Sequence, residues 1–307
     1  MPRAVKFRRY GGPEVLEILE VDRPTAGPGE VVIEVVAAAM NPGEIAIREG
    51  AFATMWPAHF PEGQGNDFAG YIAQVGKGVG RFEVGDQVVG YLPRAAQADF
   101  VLAPVSQVVP KPHELSWEQA AAITGVGATA WAAVEAIAPH EGDTVVIAGA
   151  AGGVGSIATQ LVQLRGASVV GTASAENAEF LRGLGAEPML YGEGLFERMK
   201  ARIGPPVTAL IDTVGRGNVD IALALGVSPG RINTLVDGGA IQRYGVRSEA
   251  QESTTPQEWE LLARMAASGA FHVPIEQVYP LEQVRQAYID VATRHGRGKR
   301  ILRMRAD

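Results

Sequence analysis

The 307-residue chain contains no cysteine. That single absence excludes disulfides, thiolate zinc sites and cysteine nucleophiles. Histidine is scarce: His59, His113, His140, His272 and His295 are the only five, and no two stand in an H-x-x-x-H or H-E-x-x-H spacing. A helical histidine metal site therefore has no support. Positive charge is also short. Twenty-seven Lys and Arg against 34 Asp and Glu give a formal charge of −7 with no basic stripe, which argues against a nucleic-acid partner. No apolar run approaches a membrane span, and the opening MPRAVKFRRYGGPEV lacks the apolar centre of a signal peptide. These absences lead to the expectation of a soluble cytoplasmic protein, away from membranes and nucleic acid.

What the chain does have is apolar bulk and turns. Hydrophobic residues make up 47% and charged residues 20%, enough to build a full core. The 38 glycines and 19 prolines are dispersed along the chain, so no low-complexity block is expected. The length suggests two domains.

The stretch from Thr144 to Arg165, TVVIAGAAGGVGSIATQLVQLR, organises the second half. Thr144 to Ala148 is a short β-branched run, the mark of a buried parallel strand. Gly149, Gly152, Gly153 and Gly155 follow at once. Val154, Ile157, Ala158, Leu161 and Leu164 then repeat with helical spacing, and Gly166 stands where a left-handed residue would end the helix. Such glycines serve two readings. They make an ordinary tight strand-to-helix turn, or they let the backbone approach a pyrophosphate held by the helix N-terminus. The strand before and the helix after supply the context the second reading needs.

Ahead of that stretch the chain reads as β-rich. Strands are expected over Ala4–Phe7, Val15–Val21, Glu30–Ala38, Phe68–Val75, Gln87–Tyr91 and Phe100–Val109, with a short helix after Asn41-Pro42. Ser116 with Gln119 has the form of a capping box, and helices are expected over Glu118–Ile123 and Thr129–Ile137. After it, strands over Ser168–Thr172, Met189–Tyr191 and Val207–Asp212 alternate with helices over Asn177–Leu184, Leu195–Ile203 and Gly217–Leu225. Arg231–Val236 and Ala240–Val246 read as two further strands. Alternation of this kind implies a parallel, doubly wound sheet. Helices over Pro256–Ser268 and Leu281–Thr293 and a strand over Lys299–Met304 close the chain.

Several separated motifs then resemble the medium-chain dehydrogenase/reductase superfamily, in its zinc-free quinone oxidoreductase branch. They are YGGPEVLE (Tyr10–Glu17), AGPGEV (Ala26–Val31), MNPGEIAIREG (Met40–Gly50), GNDFAGYIAQVGKGVGRFEVGDQVVGY (Gly65–Tyr91), GATAW (Gly127–Trp131), AGAAGGVGS (Ala148–Ser156), GTASAEN (Gly171–Asn177) and RGKRIL (Arg297–Leu302). The resemblance implies an α/β chain with a GroES-like β-rich catalytic domain over 1–122 and 271–307 and a Rossmann dinucleotide-binding domain over 123–270. It also implies a homodimer joined through Rossmann sheet edges, for which Ala240–Val246 is the candidate edge strand.

Zinc relatives hold a catalytic metal through a cysteine and a histidine. The matching places here are Asn41 and Asn66, neither a plausible zinc ligand, so the resemblance implies a reductase of an already electrophilic acceptor, a quinone or an α,β-unsaturated carbonyl, with no zinc. NAD enzymes place an acid about 20 residues beyond the glycine turn. Here that strand ends Gly171-Thr172-Ala173-Ser174 with no carboxylate, which favours NADP(H). Ser174 and Asn177 could donate to a 2′-phosphate or could cap the following helix, and Glu176 is an unhelpful neighbour for a phosphate. Resemblance places Tyr191 and Arg294 beside that phosphate, Gly152, Gly153 and Val154 under the pyrophosphate, and Thr129, Leu235 and Val236 near the nicotinamide. Asn41 either orients the reacting carbonyl and its oxyanion or serves as a turn residue before Pro42. Glu44 and Ala46 stand where quinone oxidoreductases often carry Asp and Tyr. Phe52, Met55 and Trp56 either line the substrate pocket or pack. A catalytically silent NADPH-binding sensor or structural protein on the same fold is the alternative function.

Overall fold

In a computed structural model, residues 1–202, 204–294 and 296–305 are described. His295 and the Ile203 end of the helix expected from Leu195 lie outside them. The chain divides into two compact units. The first takes Met1–Gly125, Pro256–Ala270 and the residues from Ile275 onward, and the second takes Val126–Thr255 and Phe271–Pro274. The helix Pro256–Ala267 thus belongs with the β-rich unit.

In the first unit, the strand Glu30–Ala39 is the centre. It is buried along almost its whole length, as a β-branched run flanked on both sides must be. It pairs antiparallel with Asp67–Val75, Phe100–Pro104 and Lys299–Arg303. The seven-stranded sheet continues through Gln87–Tyr91 and Val108–Pro110 on one side and Ile275–Pro280 on the other. A small second sheet joins Leu16–Glu20, Arg3–Phe7 and Glu62–Gly63. One register decides the chemistry: Ala39 lies opposite Asp67 on one flank and Ile301 on the other. The residues just past Ala39 therefore emerge between Asp67 and the start of the C-terminal strand.

The second unit is a five-stranded, all-parallel sheet. Its order is Glu187–Leu190, Ser168–Ala173, Thr144–Ala148, Ala209–Asp212, Ile232–Thr234. The first strand in sequence thus lies at the centre, as doubly wound topology requires, and the central strand is wholly buried. The helix Gly153–Leu164 ends at Gly166, whose φ of +80° is the left-handed cap its sequence position predicts. In the first unit, the Ser116 capping box is formed, with Gln119 N donating to Ser116 Oγ at 3.2 Å.

One expected element is overturned. Ala240–Val246 is not an edge strand, because Gly238–Tyr244 is a helix. The Asp237 side chain accepts from Ala240 N at 2.9 Å and starts it, and Gly245 at φ +64° ends it. Ala240, Ile241 and Tyr244 pack into the core at helical spacing. Local capping outweighs the apolar character of the run. Beyond the helix, Arg247 makes a single parallel bridge to Asn233. The Asn233 amide extends that contact, exchanging hydrogen bonds with the Glu249 backbone at 3.1 and 2.8 Å. Phe100–Val109 also departs from expectation: it is two strands separated by a turn at Val105–Gln107. The strand Ile275–Pro280, polar along much of its length, carries no apolar alternation that would announce it.

Candidate functional site

In the second unit, most of the residues expected to contact a nucleotide lie at or beyond the carboxyl ends of the parallel strands. Gly149 sits at φ +78°, and a Cβ there would strike Thr213 and Val214. A Cβ on Gly155 would overlap the carbonyl of Gly149. Both residues must be glycine for the turn to close. Gly152 is the N-cap, no side chain caps the helix start, and Gly152, Gly153 and Val154 reach the surface. The amides of a first helical turn have no intrahelical partner, so this cradle fits the pyrophosphate of a dinucleotide.

On the next strand, neither Ser174 nor Asn177 makes a side-chain cap. Asn177 Nδ2 instead donates to Ser174 Oγ at 3.2 Å, and both are partly exposed. Tyr191 is 42% exposed, and its backbone N donates to Ala173 O at 3.4 Å, which sets it beside Ser174. Arg182 shares a cavity with Ser174, Ala175 and Ala178. Sequence reasoning missed this cation because it lies in the helix and outside the loop. Thr129 is partly exposed in the first turn of the helix Ala128–Ile137. Leu235 and Val236 come after the last strand, with Val236 52% exposed. Asp212 fastens that loop to its neighbour: its carboxylate accepts from Val214 N, Gly215 N, Asn218 Nδ2 and Thr234 Oγ1. Arg294 belongs to the other unit and is exposed at φ +54°.

The first unit holds a buried polar cluster. Asn41 Oδ1 accepts from the Lys299 ammonium at 2.8 Å, and the same ammonium donates to Met40 O. Asn41 Nδ2 donates to Glu44 Oε1 at 2.9 Å and to Asp67 Oδ2 at 2.6 Å. Glu44 Oε2 accepts from Asn41 N at 3.1 Å and from the Tyr288 hydroxyl at 2.6 Å, and Gln97 Nε2 donates to that hydroxyl. Asn41 is thus a helix-start residue whose two amide hydrogens both go to carboxylates, and it has none left over for a substrate oxygen. Sequence analysis named Asn41 and noticed Glu44 but missed Asp67 and Lys299. Their partners come from strands far apart in the chain.

Burial dominates the titration of this cluster. It pushes Asp67 up to about 7, against the pull of Lys299 and Asn41 and with the help of Glu44. It raises Glu44 against hydrogen bonds from Tyr288 and Asn41, raises Tyr288, and lowers Lys299 against the attraction of both carboxylates. In the same unit, Phe52 and Trp56 form a tilted pair with centroids 5.5 Å apart, and Trp56 is 57% exposed. They form an exposed aromatic surface and contribute little to the core.

Residues 27–113 match the alcohol dehydrogenase GroES-like domain family, and residues 184–302 match a family described as zinc-binding dehydrogenase. Mouse quinone oxidoreductase is 31% identical over 97% of this chain and 95% of its own. A chloroplastic quinone-oxidoreductase homolog of Spinacia oleracea is 34% identical over 61% of this chain and 60% of its own. The structure of the quinone oxidoreductase from Coxiella burnetii superposes with a TM-score of 0.88 at 27% identity, covering 99% of both chains. A mycobacterial protein, Rv1454c, solved in complex with NADPH, superposes at 0.86 with 27% identity over 99% of this chain and 100% of its own.

The residues present do not fit the zinc that one family description names. Asn41 Oδ1 is taken by an ammonium, Asn66 Oδ1 accepts from Arg94 N at 2.9 Å, and no group of three or more His, Cys, Asp or Glu that could hold a metal occurs among the described residues. No helix among them is long and apolar enough to cross a membrane. With a GroES-like unit, a doubly wound parallel sheet and a full-length relative at 31% identity, this chain is an oxidoreductase-family protein that belongs to the quinone oxidoreductase branch of the medium-chain dehydrogenase/reductase superfamily.

Proposed function

We propose that the protein is an NADPH-dependent, zinc-independent reductase that passes hydride to a quinone or an α,β-unsaturated carbonyl. The observation that carries the cofactor choice is the end of the strand Ser168–Ala173. Ser174 and Asn177 stand there, with Arg182 at the same cavity, where an NAD enzyme would place an acid. The NADPH complex of Rv1454c supports the reading. Tyr191 completes the phosphate set in this proposal, and Thr129, Leu235 and Val236 hold the nicotinamide. When bound, the nicotinamide supplies the hydride; the chain positions it and stabilises charge. The tilted Phe52–Trp56 pair offers aromatic faces to an acceptor ring.

Zinc independence rests on Lys299, whose ammonium occupies the Asn41 oxygen. The proposal includes a cytoplasmic location, expected from the sequence, and a homodimer, as the resemblance implies; sedimentation as a monomer overturns the dimer. The deciding experiment for the function pairs calorimetry of NADPH and NADH with turnover on a panel of 1,4-benzoquinones and enones. Tight NADPH binding with no turnover would make the chain a silent cofactor sensor. Absence of binding to either nucleotide would end the proposal.

A further inference from the structure

The strand Glu187–Leu190 is the outer edge of the parallel sheet, and edge carbonyls have no strand partner on their outer side. At the carboxyl end of this strand one guanidinium takes that place. Arg198, on the helix Leu195–Lys200, donates to Leu190 O from Nε at 3.1 Å and from Nη2 at 2.8 Å. Its Nη1 donates to Glu193 O at 2.8 Å, and Nη2 also approaches Tyr191 O at 3.4 Å and Gly192 O at 3.5 Å. Four consecutive carbonyls thus converge on one planar cation. The chain curls this tightly because Gly192 and Gly194 stand at φ +92° and +74°.

We propose that Arg198 is a positioning residue for the 2′-phosphate end of the cofactor, acting through Tyr191. The inference rests on the NADPH reading above. Leu190 pairs in register with Ala173 and lines the cavity shared by Ser174 and Arg182. Tyr191 follows it and is exposed. Its amide is held on the sheet side by Ala173 O, and its carbonyl faces Arg198. A glycine-flanked loop left to itself would be ordered at the expense of each binding event. Arg198 orders it in advance, which raises affinity without a contact to the ligand. Every nitrogen of the guanidinium has a carbonyl partner, so Arg198 acts on the loop and is not itself a phosphate ligand. A lysine, with a point charge in place of a planar fork, is no substitute.

Arg202 supplies the contrast. Its Nε donates to Glu187 Oε2 at 2.7 Å, at the amino end of the same strand, and its Nη1 donates to Pro205 O at 2.9 Å. It steadies the strand at the end away from Ser174.

The test measures NADPH and NADH dissociation constants by calorimetry on the full chain. Arg198→Ala should weaken NADPH about tenfold, the size of one lost hydrogen bond to a charged group, with NADH changed much less. Arg202→Ala should lower the melting temperature and leave the ratio of the two constants as it is. The double variant of Arg198→Ala with Tyr191→Ala should bind NADPH as Tyr191→Ala alone does, because the two residues act as one unit. Losses that multiply, an equal loss from Arg202→Ala, or an unchanged NADPH affinity in Arg198→Ala each overturn the assignment. Should Arg198→Ala not fold, Gly192→Ala carries the test. A Cβ there meets nothing within 4 Å, but the φ of +92° strains any side chain, so the loop shifts with Arg198 in place. The same selective loss is expected, and an unaltered NADPH affinity overturns the assignment. A wild-type protein that binds NADPH no tighter than NADH fails at the earlier step and ends the NADPH reading itself.

Discussion

The hydroxyl of Thr234 donates to the carboxylate of Asp212 across 2.8 Å, inside a unit where both residues are fully buried. That one bond ties together the loops that leave two neighbouring parallel strands. On one side, Asp212 accepts from Val214 N and Gly215 N. On the other, Thr234 Oγ1 accepts from Asp237 N at 3.1 Å. Open α/β sheets bind ligands outside the carboxyl ends of their strands, so the pair holds in shape the loops proposed to face the cofactor.

Asp212→Ala should therefore strand several buried donors, each costing about 1–3 kcal/mol. The expected outcome is a lower melting temperature together with NADPH binding weakened at least tenfold. Thermal denaturation and calorimetry on the same preparation check it. An unchanged melting temperature would show that the loops hold themselves.

Gly155→Ala should abolish tight nucleotide binding. The new Cβ overlaps the Gly149 carbonyl, which is backbone and cannot rotate away, so the turn and the helix start must separate. NADPH titration by fluorescence reads the effect. The control is Gly183→Ala, where a Cβ meets nothing nearby.

Ser174→Asp should shift cofactor preference. A carboxylate at the end of that strand accepts from a ribose 2′-OH and repels a 2′-phosphate. We expect the NADPH dissociation constant to rise at least tenfold while that for NADH falls. Arg182→Ala should weaken NADPH alone. Equal changes for both nucleotides would place the 2′-phosphate elsewhere.

Asp67 also makes stability depend on pH. Its folded titration, at about 7, is above its unfolded value of 3.8. Between those values the folded state binds more protons than the unfolded one, so stability falls as pH rises through that window. Asp67→Asn removes the effect. The variant should melt at a higher temperature than the wild type at pH 8, and the gap should close toward pH 4. A gap that is constant across the range would mean that Asp67 does not titrate in the folded protein.

The sequence by itself determined the second unit and its glycine turn. The strand Thr144–Ala148, the helix behind it and the Gly166 cap all arise from residues within a few positions of one another, and local sterics act at that range. It failed where local signals compete. Ala240–Val246 is apolar enough for a strand, yet Asp237 and Gly245, at its two ends, make it a helix. Only the tertiary structure decided the chemistry around Asn41. Lys299 lies 258 residues from Asn41 in sequence, and Asp67 lies 26 away. Sheet register brings them together by setting Ala39 between Asp67 and Ile301. Burial then changes what each group can do, turning an asparagine from a candidate donor into a holder and leaving one oxygen of Asp67 without a partner among the described residues. No spacing rule encodes that, because desolvation is a property of the assembled core and not of the residues taken singly.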